Sequence, residues 1–243
     1  SFTWGSMEKG LNIQIPLMAN RFRKGEIRVE TLTRSGEWFR ENFPVTPPTA
    51  VTALTDYREK DRKTVWYNSR YYRTNLLWEG GTLCIRAIHM FDQRMESDYY
   101  RKAGTTNPCG YTTLPVVDGC MWSTREQLAG LRVMRRTADG SLAPAQGGTP
   151  AVTEKGKGKL LVEWPMDDGR QLTILLSEEG MEIAAPGKGP DWMLELTAAP
   201  GAALPFTAFG AKRVTAAQKG FAYAFDCTKG TIATAGTSAG SIF

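Results

Sequence analysis

The stretch from Arg70 to Asp92, RYYRTNLLWEGGTLCIRAIHMFD, decides the fold class. Gly80-Gly81 is a two-residue turn signal between two β-prone runs, which predicts an antiparallel hairpin. If these glycines form the turn, Glu79 opposes Thr82, and counting outward predicts every later pair. The predicted pairs are Trp78–Leu83, Leu77–Cys84, Leu76–Ile85, Asn75–Arg86, Arg73–Ile88, Tyr72–His89 and Tyr71–Met90. Apolar residues on both faces near the turn indicate a central hairpin that is covered on both sides.

Short β-prone runs continue along the chain, separated by turn residues at the spacing typical of sandwiches and barrels. The predicted strands are 11–15, 26–33, 114–117, 159–164, 170–176, 181–184, 192–197, 206–215, 220–227 and 231–234, and a short helix is predicted over 35–43. This pattern predicts an all-β protein, a large antiparallel β-sandwich or super-sandwich with few short helices. Residues 1–243 are expected to form a single β-sandwich domain, and the segment 138–158, rich in Gly, Pro, Ala and Thr, is a candidate subdivision.

The amino-acid composition limits the kinds of ligand and partner that we expect for this chain. Thirty basic residues alternate with 25 acidic ones, giving a net charge of +5 without a basic patch, so no nucleic-acid partner is expected. The longest apolar runs are too short for a membrane span. One histidine and the absence of CxxC disfavour a zinc site, and neither a metal nor another cofactor is expected. Cys109 and Cys120 could form a disulfide in an oxidising compartment, whereas Cys84 falls in a predicted strand.

The irregular segment after the hairpin is rich in tyrosines and polar residues. A segment of about two dozen residues without regular periodicity is usually functional or disordered, and its tyrosines argue against disorder. Sugar rings present apolar C–H faces rimmed by hydroxyls, which suit flat aromatic rings beside polar side chains. The predicted substrate-binding residues are Tyr71, Tyr72, Asp98, Tyr99, Tyr100, Tyr111 and Trp122.

Three residues are candidates for acid–base chemistry: His89, Asp92 and Asp118. Glycoside hydrolysis needs paired acid and base groups, and Asp92 is close enough in sequence to orient the imidazole of His89. The alternative for His89 is a strand histidine that is hydrogen-bonded to Tyr72 or to a backbone carbonyl. The alternative for the acids is that they are solvated turn formers, as Asp118-Gly119 indicates. Whether the chain is an enzyme stays open at this point.

Several longer runs carry a resemblance to known proteins. RYYRTNLLWEGGTLCIRAIHMFD and LPVVDGCMWS resemble segments of large bacterial polysaccharide-degradation proteins. LLVEWPMDDGRQLTILLSEEGMEI, DWMLELTAAPGAALPF and KGFAYAFDCTKGTI are similar to β-sandwich domains attached to glycoside hydrolases and polysaccharide lyases. The resemblance implies a glycan-related role and leaves open whether the domain cuts a glycan, binds it or supports a catalytic domain. The leading hypothesis is an accessory or glycan-binding domain of a polysaccharide-degrading enzyme, whose partner is an oligo- or polysaccharide; a further catalytic domain is a second candidate partner. If the chain is itself an enzyme, the resemblance implies a glycoside hydrolase or polysaccharide lyase.

The same resemblance implies an extracytoplasmic setting, periplasmic or secreted, although the chain begins without a signal-peptide pattern. A function from another class stays open beside it. This alternative is a structural or protein-interaction β-sandwich module that does not bind glycan.

Overall fold

A computed structural model describes residues 3–56, 58–105, 112–189 and 191–233. The chain forms two compact units, Ser1–Thr46 and Pro47–Phe243. The division therefore falls at Thr46–Pro47, whereas the segment 138–158 contributes two strands to the second unit.

The first unit is helical. Helix α1 spans Trp4–Arg23 and helix α2 spans Leu32–Asn42, so the strands predicted over 11–15 and 26–33 are wrong. The alternation of Leu11, Ile13 and Ile15 resembles a strand only in a five-residue window. Over the whole of α1 the apolar residues recur at three- and four-residue spacing, the period of a helix, and this longer pattern prevails. Helix α2 confirms the helix predicted over 35–43.

The second unit is built from strands. They are β1 (Thr49–Ala53), β2 (Lys63–Asn68), β3 (Tyr72–Glu79), β4 (Thr82–Met90), β5 (Leu114–Asp118), β6 (Gly130–Arg136), β7 (Leu142–Pro144), β8 (Ala151–Glu154), β9 (Leu160–Pro165), β10 (Gln171–Ser177), β11 (Gly180–Ala184), β12 (Trp192–Thr197), β13 (Phe206–Phe209), β14 (Arg213–Gln218) and β15 (Phe221–Asp226). The four-residue helix α3 (Asp98–Arg101) interrupts them. The predicted all-β class is confirmed.

The strands form three antiparallel sheets. The largest has eight strands in the order β1-β2-β3-β4-β6-β12, with β5 paired to β4 and β7 paired to β6. The second has the order β11-β10-β9-β8, and the third is β13-β14-β15. The predicted run 206–215 is divided between β13 and β14, and 231–233 is not a strand. Strands β1, β2, β6, β7 and β8 were not predicted from the sequence.

The core lies between the eight-stranded and four-stranded sheets. One buried cluster contains Leu76 and Ile85 from the first sheet and Trp164 and Leu172 from the second. Burying each such side chain stabilises the fold by roughly 1.5–3 kcal/mol. The Tyr67 hydroxyl also crosses between the layers and donates a 2.6 Å hydrogen bond to the Gly158 carbonyl.

The β3–β4 hairpin follows the predicted register only near its turn. The four pairs from Glu79–Thr82 to Leu76–Ile85 are confirmed. Beyond them the register shifts by one residue, because Arg86 is an extra residue in β4 and forms a β-bulge. Asn75 therefore pairs with Ala87, Arg73 with His89, and Tyr72 with Met90, so the predicted outer pairs are wrong.

Candidate functional site

The bulge at Arg86 marks the point where β4 changes partner. Before it, Cys84 and Ile85 pair with β6; after it, Ala87 to Met90 pair with β5. Gly119 closes this junction by donating its backbone N–H to the Arg86 carbonyl at 2.7 Å. A Cβ atom on Gly119 would lie 2.6 Å from that carbonyl oxygen, so glycine is required by the close approach of the two strands.

The partner change brings two of the three predicted catalytic residues together. Asp118 opposes Ala87, two residues from His89, so both side chains lie on the same face of the sheet. His89 Nε2 lies 3.6 Å from Asp118 Oδ2, and His89 Nδ1 lies 2.7 Å from the Thr113 hydroxyl oxygen. The other carboxylate oxygen of Asp118 accepts hydrogen bonds from the backbone N–H groups of Cys120 and Met121. Thr113 is thus a hydrogen-bond partner of His89, for which the sequence suggested Tyr72 or a backbone carbonyl.

Burial controls the chemistry of this cluster. His89 is 3% exposed and Asp118 is 5% exposed. Burial lowers the pKa of His89 to about 4, and the charge of Arg73 acts in the same direction, whereas Asp118 opposes both. The imidazole is consequently neutral at neutral pH. A hydroxyl, a neutral imidazole and a carboxylate in contact could move a proton, but neither His89 nor Asp118 is open to a polymeric substrate.

The third predicted catalytic residue lies apart from this cluster. Asp92 is partly exposed and forms a bidentate ion pair with the guanidinium of Arg94. The hydrogen bonds from Arg94 lower the pKa of Asp92 to about 2, so its carboxylate is a fixed anion at neutral pH. A permanently ionised, paired carboxylate is a poor general acid.

Three of the predicted substrate-binding tyrosines are exposed. Tyr71 is 48% exposed, Tyr99 is 50% exposed and Tyr100 is 83% exposed. Tyr71 follows Arg70, whose guanidinium lies 5.0 Å from the centre of the Tyr71 ring and is ion-paired with Glu178. Tyr99 and Tyr100 lie in α3, whose N-terminus is capped by the Ser97 hydroxyl.

A chain of contacts connects these tyrosines across one part of the second unit. The Tyr71 carbonyl accepts a hydrogen bond from the Phe91 N–H, and Asp92 follows with its Arg94 pair. The Arg94 guanidinium lies 5.7 Å from the centre of the Phe221 ring, in the strand that begins after the β14–β15 turn. Lys219 in that turn is ion-paired with Asp98, which directly precedes Tyr99. We use the name tyrosine surface for the exposed residues at the two ends of this series of contacts, Tyr71 at one end and Asp98, Tyr99 and Tyr100 at the other.

Two of the predicted substrate-binding residues do not belong to this surface. Tyr72 is buried, and its hydroxyl donates to the carbonyls of Ser177 and Gly180 in the opposite sheet. Trp122 is also buried and packs edge-on against Phe206, with ring centroids 5.6 Å apart. Both are core residues, because their rings fill space between sheets, and the substrate-binding prediction for them is corrected. Tyr111 lies outside the described residues.

Sequence reasoning missed the residues that come from distant parts of the chain. Glu178 and Lys219 reach Arg70 and Asp98 across more than a hundred residues. The Lys219-Gly220 turn signal was visible between two β-prone runs, but no local pattern indicated which loop it would meet. Thr113 was likewise hidden, since its role depends on the pairing of β4 with β5.

The described residues give no evidence for a disulfide or a metal ion at the site. Cys84, Cys120 and Cys227 are free thiols, and Cys109, the candidate partner of Cys120, lies outside the described residues. Within the described ranges, no group of three or more His, Cys, Asp or Glu side chains is placed to hold a metal ion.

Comparison with known proteins does not extend the assignment. No protein-family model matches the chain, and neither curated proteins nor solved structures give a significant match. Among the described helices, none is both long and apolar enough to cross a membrane.

Proposed function

We propose that this chain is a carbohydrate-active protein, a glycan-binding or accessory β-sandwich domain whose ligand lies on the tyrosine surface. The observation that carries the proposal is the exposure of the Tyr71, Tyr99 and Tyr100 rings beside charged side chains. An exposed phenol ring offers an apolar face to the C–H face of a sugar and a hydroxyl that can donate or accept a hydrogen bond.

The charged side chains beside the rings suit the same class of ligand. Arg70–Glu178 and Asp98–Lys219 are exposed ion pairs that keep unused donors and acceptors for ligand hydroxyls. Because each side chain is already held by its partner, less conformational freedom is lost when a ligand binds. Tyr71 is further held by Arg70, whose guanidinium lies over the ring.

Binding is favoured over hydrolysis by the arrangement of the titratable groups. His89 and Asp118 are buried, and Asp92 is locked to Arg94. The proposed role is therefore to hold a polysaccharide, in an extracytoplasmic setting, for a catalytic domain that cleaves it.

A glycan array followed by isothermal titration of any hit tests the proposal. Tyr99→Ala and Tyr100→Ala should each weaken binding about tenfold, the equivalent of about 1.4 kcal/mol of lost stacking. Tyr99→Phe and Tyr100→Phe keep the ring and should retain most of the affinity. Leu142→Ala removes an exposed apolar side chain from strand β7 and serves as the matched control. Unchanged affinity in both alanine variants, or the absence of any glycan ligand, would overturn the proposal.

A specific observation favours a second candidate, a protein-interaction module. Helix α1 carries an apolar stripe at three- and four-residue spacing, formed by the exposed Trp4, Met7, Ile15, Met18 and Phe22 together with the half-buried Leu11. Exposed apolar stripes of this kind commonly contact a protein partner. The two candidates separate by mutation: Ile15→Asp should abolish capture of a protein partner and spare glycan binding, whereas Tyr99→Ala should do the reverse.

A further inference from the structure

A groove of about 300 Å³ lies on the eight-stranded sheet. Its apolar part is formed by Leu77, Leu128 and Pro144, among others, and its polar part by Arg86, Arg132 and Cys84. The groove and the tyrosine surface share no residue. The groove is at the lower end of the size range of small-molecule sites.

The bulge supplies one of the two arginines. Without the extra residue in β4, position 86 would oppose Asn75 in a regular ladder, but the shift places Arg86 between the β6-paired and β5-paired parts of the strand. Arg132 opposes Cys84 from strand β6, so both guanidiniums reach the same groove.

Positive charges outnumber negative ones among the groove-lining residues, which include Arg86, Arg132 and Glu79; Glu195 of β12 opposes Arg132 in the sheet but does not line the groove. Each guanidinium uses one N–H group on a backbone carbonyl: Arg86 donates to Gly119 at 3.2 Å, and Arg132 donates to Leu128 at 3.2 Å. Neither forms an ion pair with a carboxylate of the described residues. The acid in the groove lining, Glu79, is already ion-paired with Arg62 at 2.7 Å. The groove thus presents two positive charges beside an apolar wall.

The half-buried thiol of Cys84 is influenced by the charges of the same two arginines. Burial raises the pKa of Cys84, while the charges of Arg132 and Arg86 act in the opposite direction. Both guanidiniums are therefore close enough to influence one sulfur atom within the groove.

We propose that this groove binds a small organic anion with an apolar body, of the class of medium-chain or aromatic carboxylates. The carboxylate would lie between Arg86 and Arg132, because a planar guanidinium donates two parallel hydrogen bonds to a carboxylate. The apolar body would lie against Leu77, Leu128 and Pro144. This site is independent of the glycan site, and either could exist without the other.

Decanoate, kept below its micelle concentration, is the probe, and decanol is its uncharged counterpart. Isothermal titration should show binding of decanoate with at least tenfold preference over decanol, and Arg86→Gln or Arg132→Gln should each weaken decanoate binding about tenfold. Arg86→Lys keeps the charge and the fold and should lose less. Arg213→Gln removes an exposed arginine from the third sheet, where it pairs with Asp226, and should leave binding unchanged.

The thiol gives a second readout that does not depend on variants. Decanoate should slow alkylation of Cys84 by N-ethylmaleimide, measured by peptide mass spectrometry, while the free thiols Cys120 and Cys227 react at unchanged rates as internal controls. Equal affinity for decanol and decanoate would overturn the role of the arginines. Binding without protection of Cys84, or no binding at all, would overturn the site.

Discussion

The two halves of the β3–β4 hairpin differ in what determines their register, although both are formed by the same two strands. On the side of the Gly80-Gly81 turn, the register follows from the turn, and Trp78, Leu76 and Ile85 enter the core. Beyond Arg86, one extra residue moves His89 to the other face, where it meets Asp118. A single bulge therefore separates the part of the hairpin that is scaffold from the part that positions polar groups. A local turn therefore fixes the register of a hairpin only as far as the first irregularity.

We expect the largest loss of stability from adding a side-chain atom at Gly119, beside the bulge at Arg86. Gly119→Ala adds a Cβ atom 2.6 Å from the Arg86 carbonyl oxygen and 3.2 Å from the Ala129 carbonyl oxygen. Backbone atoms on both sides cannot move independently, so the variant should lose about 3 kcal/mol of unfolding free energy. Equilibrium urea denaturation measures this loss.

Gly180→Ala is the matched control for that experiment. Gly180 is the first residue of β11, and an added Cβ atom there meets nothing within 4 Å. Its unfolding free energy should stay within about 0.5 kcal/mol of the parent protein. Equal stability of the two alanine variants would show that the junction at Arg86 is looser than its geometry indicates.

The contrast between the turn side and the outer side of the hairpin also explains which strands and helices can be predicted from the sequence. The inner hairpin, β5, β9, β10 and β12 follow from turn residues and alternation, because local backbone preferences dominate there. The prediction of a strand over residues 11–15 is wrong, because Leu11, Ile13 and Ile15 alternate within the longer helical pattern of α1.

The candidate site was harder to predict, because its geometry depends on pairing between distant segments. His89 and Asp118 were both selected from the sequence, but their contact arises from the pairing of β4 with β5. Tyr71 and Tyr72 are adjacent in sequence, yet one is exposed and the other is in the core. Adjacent residues of an extended chain point to opposite faces, and the position of the second sheet, which receives the Tyr72 hydroxyl, decides which of the two is buried.

A smaller effect, the change of unfolding free energy per pH unit that His89 causes, tests the outer half of the hairpin. The pKa of His89 is lowered by burial to about 4 in the folded chain, against about 6.5 when it is unfolded. Between these values the unfolded state binds a proton that the folded state does not, so His89 makes the protein less stable as pH falls. The slope from this group is at most about 1.4 kcal/mol per pH unit.

The chain makes this measurement clean, because His89 is its one histidine. His89→Gln should remove that contribution from the slope of unfolding free energy between pH 6.5 and pH 4, while the carboxylates other than Asp118, which faces His89, contribute equally in both proteins. The single imidazole should also titrate near pH 4 by NMR. Titration at or above pH 6.5 would mean that the attraction of Asp118 outweighs burial.

The smallest effect is expected from removing one hydroxyl oxygen at two adjacent positions. Tyr72→Phe leaves the Ser177 and Gly180 carbonyls without the hydroxyl that crosses between the sheets, which should cost about 1 kcal/mol of unfolding free energy. Tyr71→Phe changes an exposed side chain and should alter stability by less than about 0.5 kcal/mol. Urea denaturation of both variants at neutral pH measures the difference. If the two substitutions lower the unfolding free energy equally, the Tyr72 hydroxyl does not stabilise the contact between the outer half of the hairpin and the second sheet. The distinction between scaffold and site residues would then not apply to Tyr71 and Tyr72.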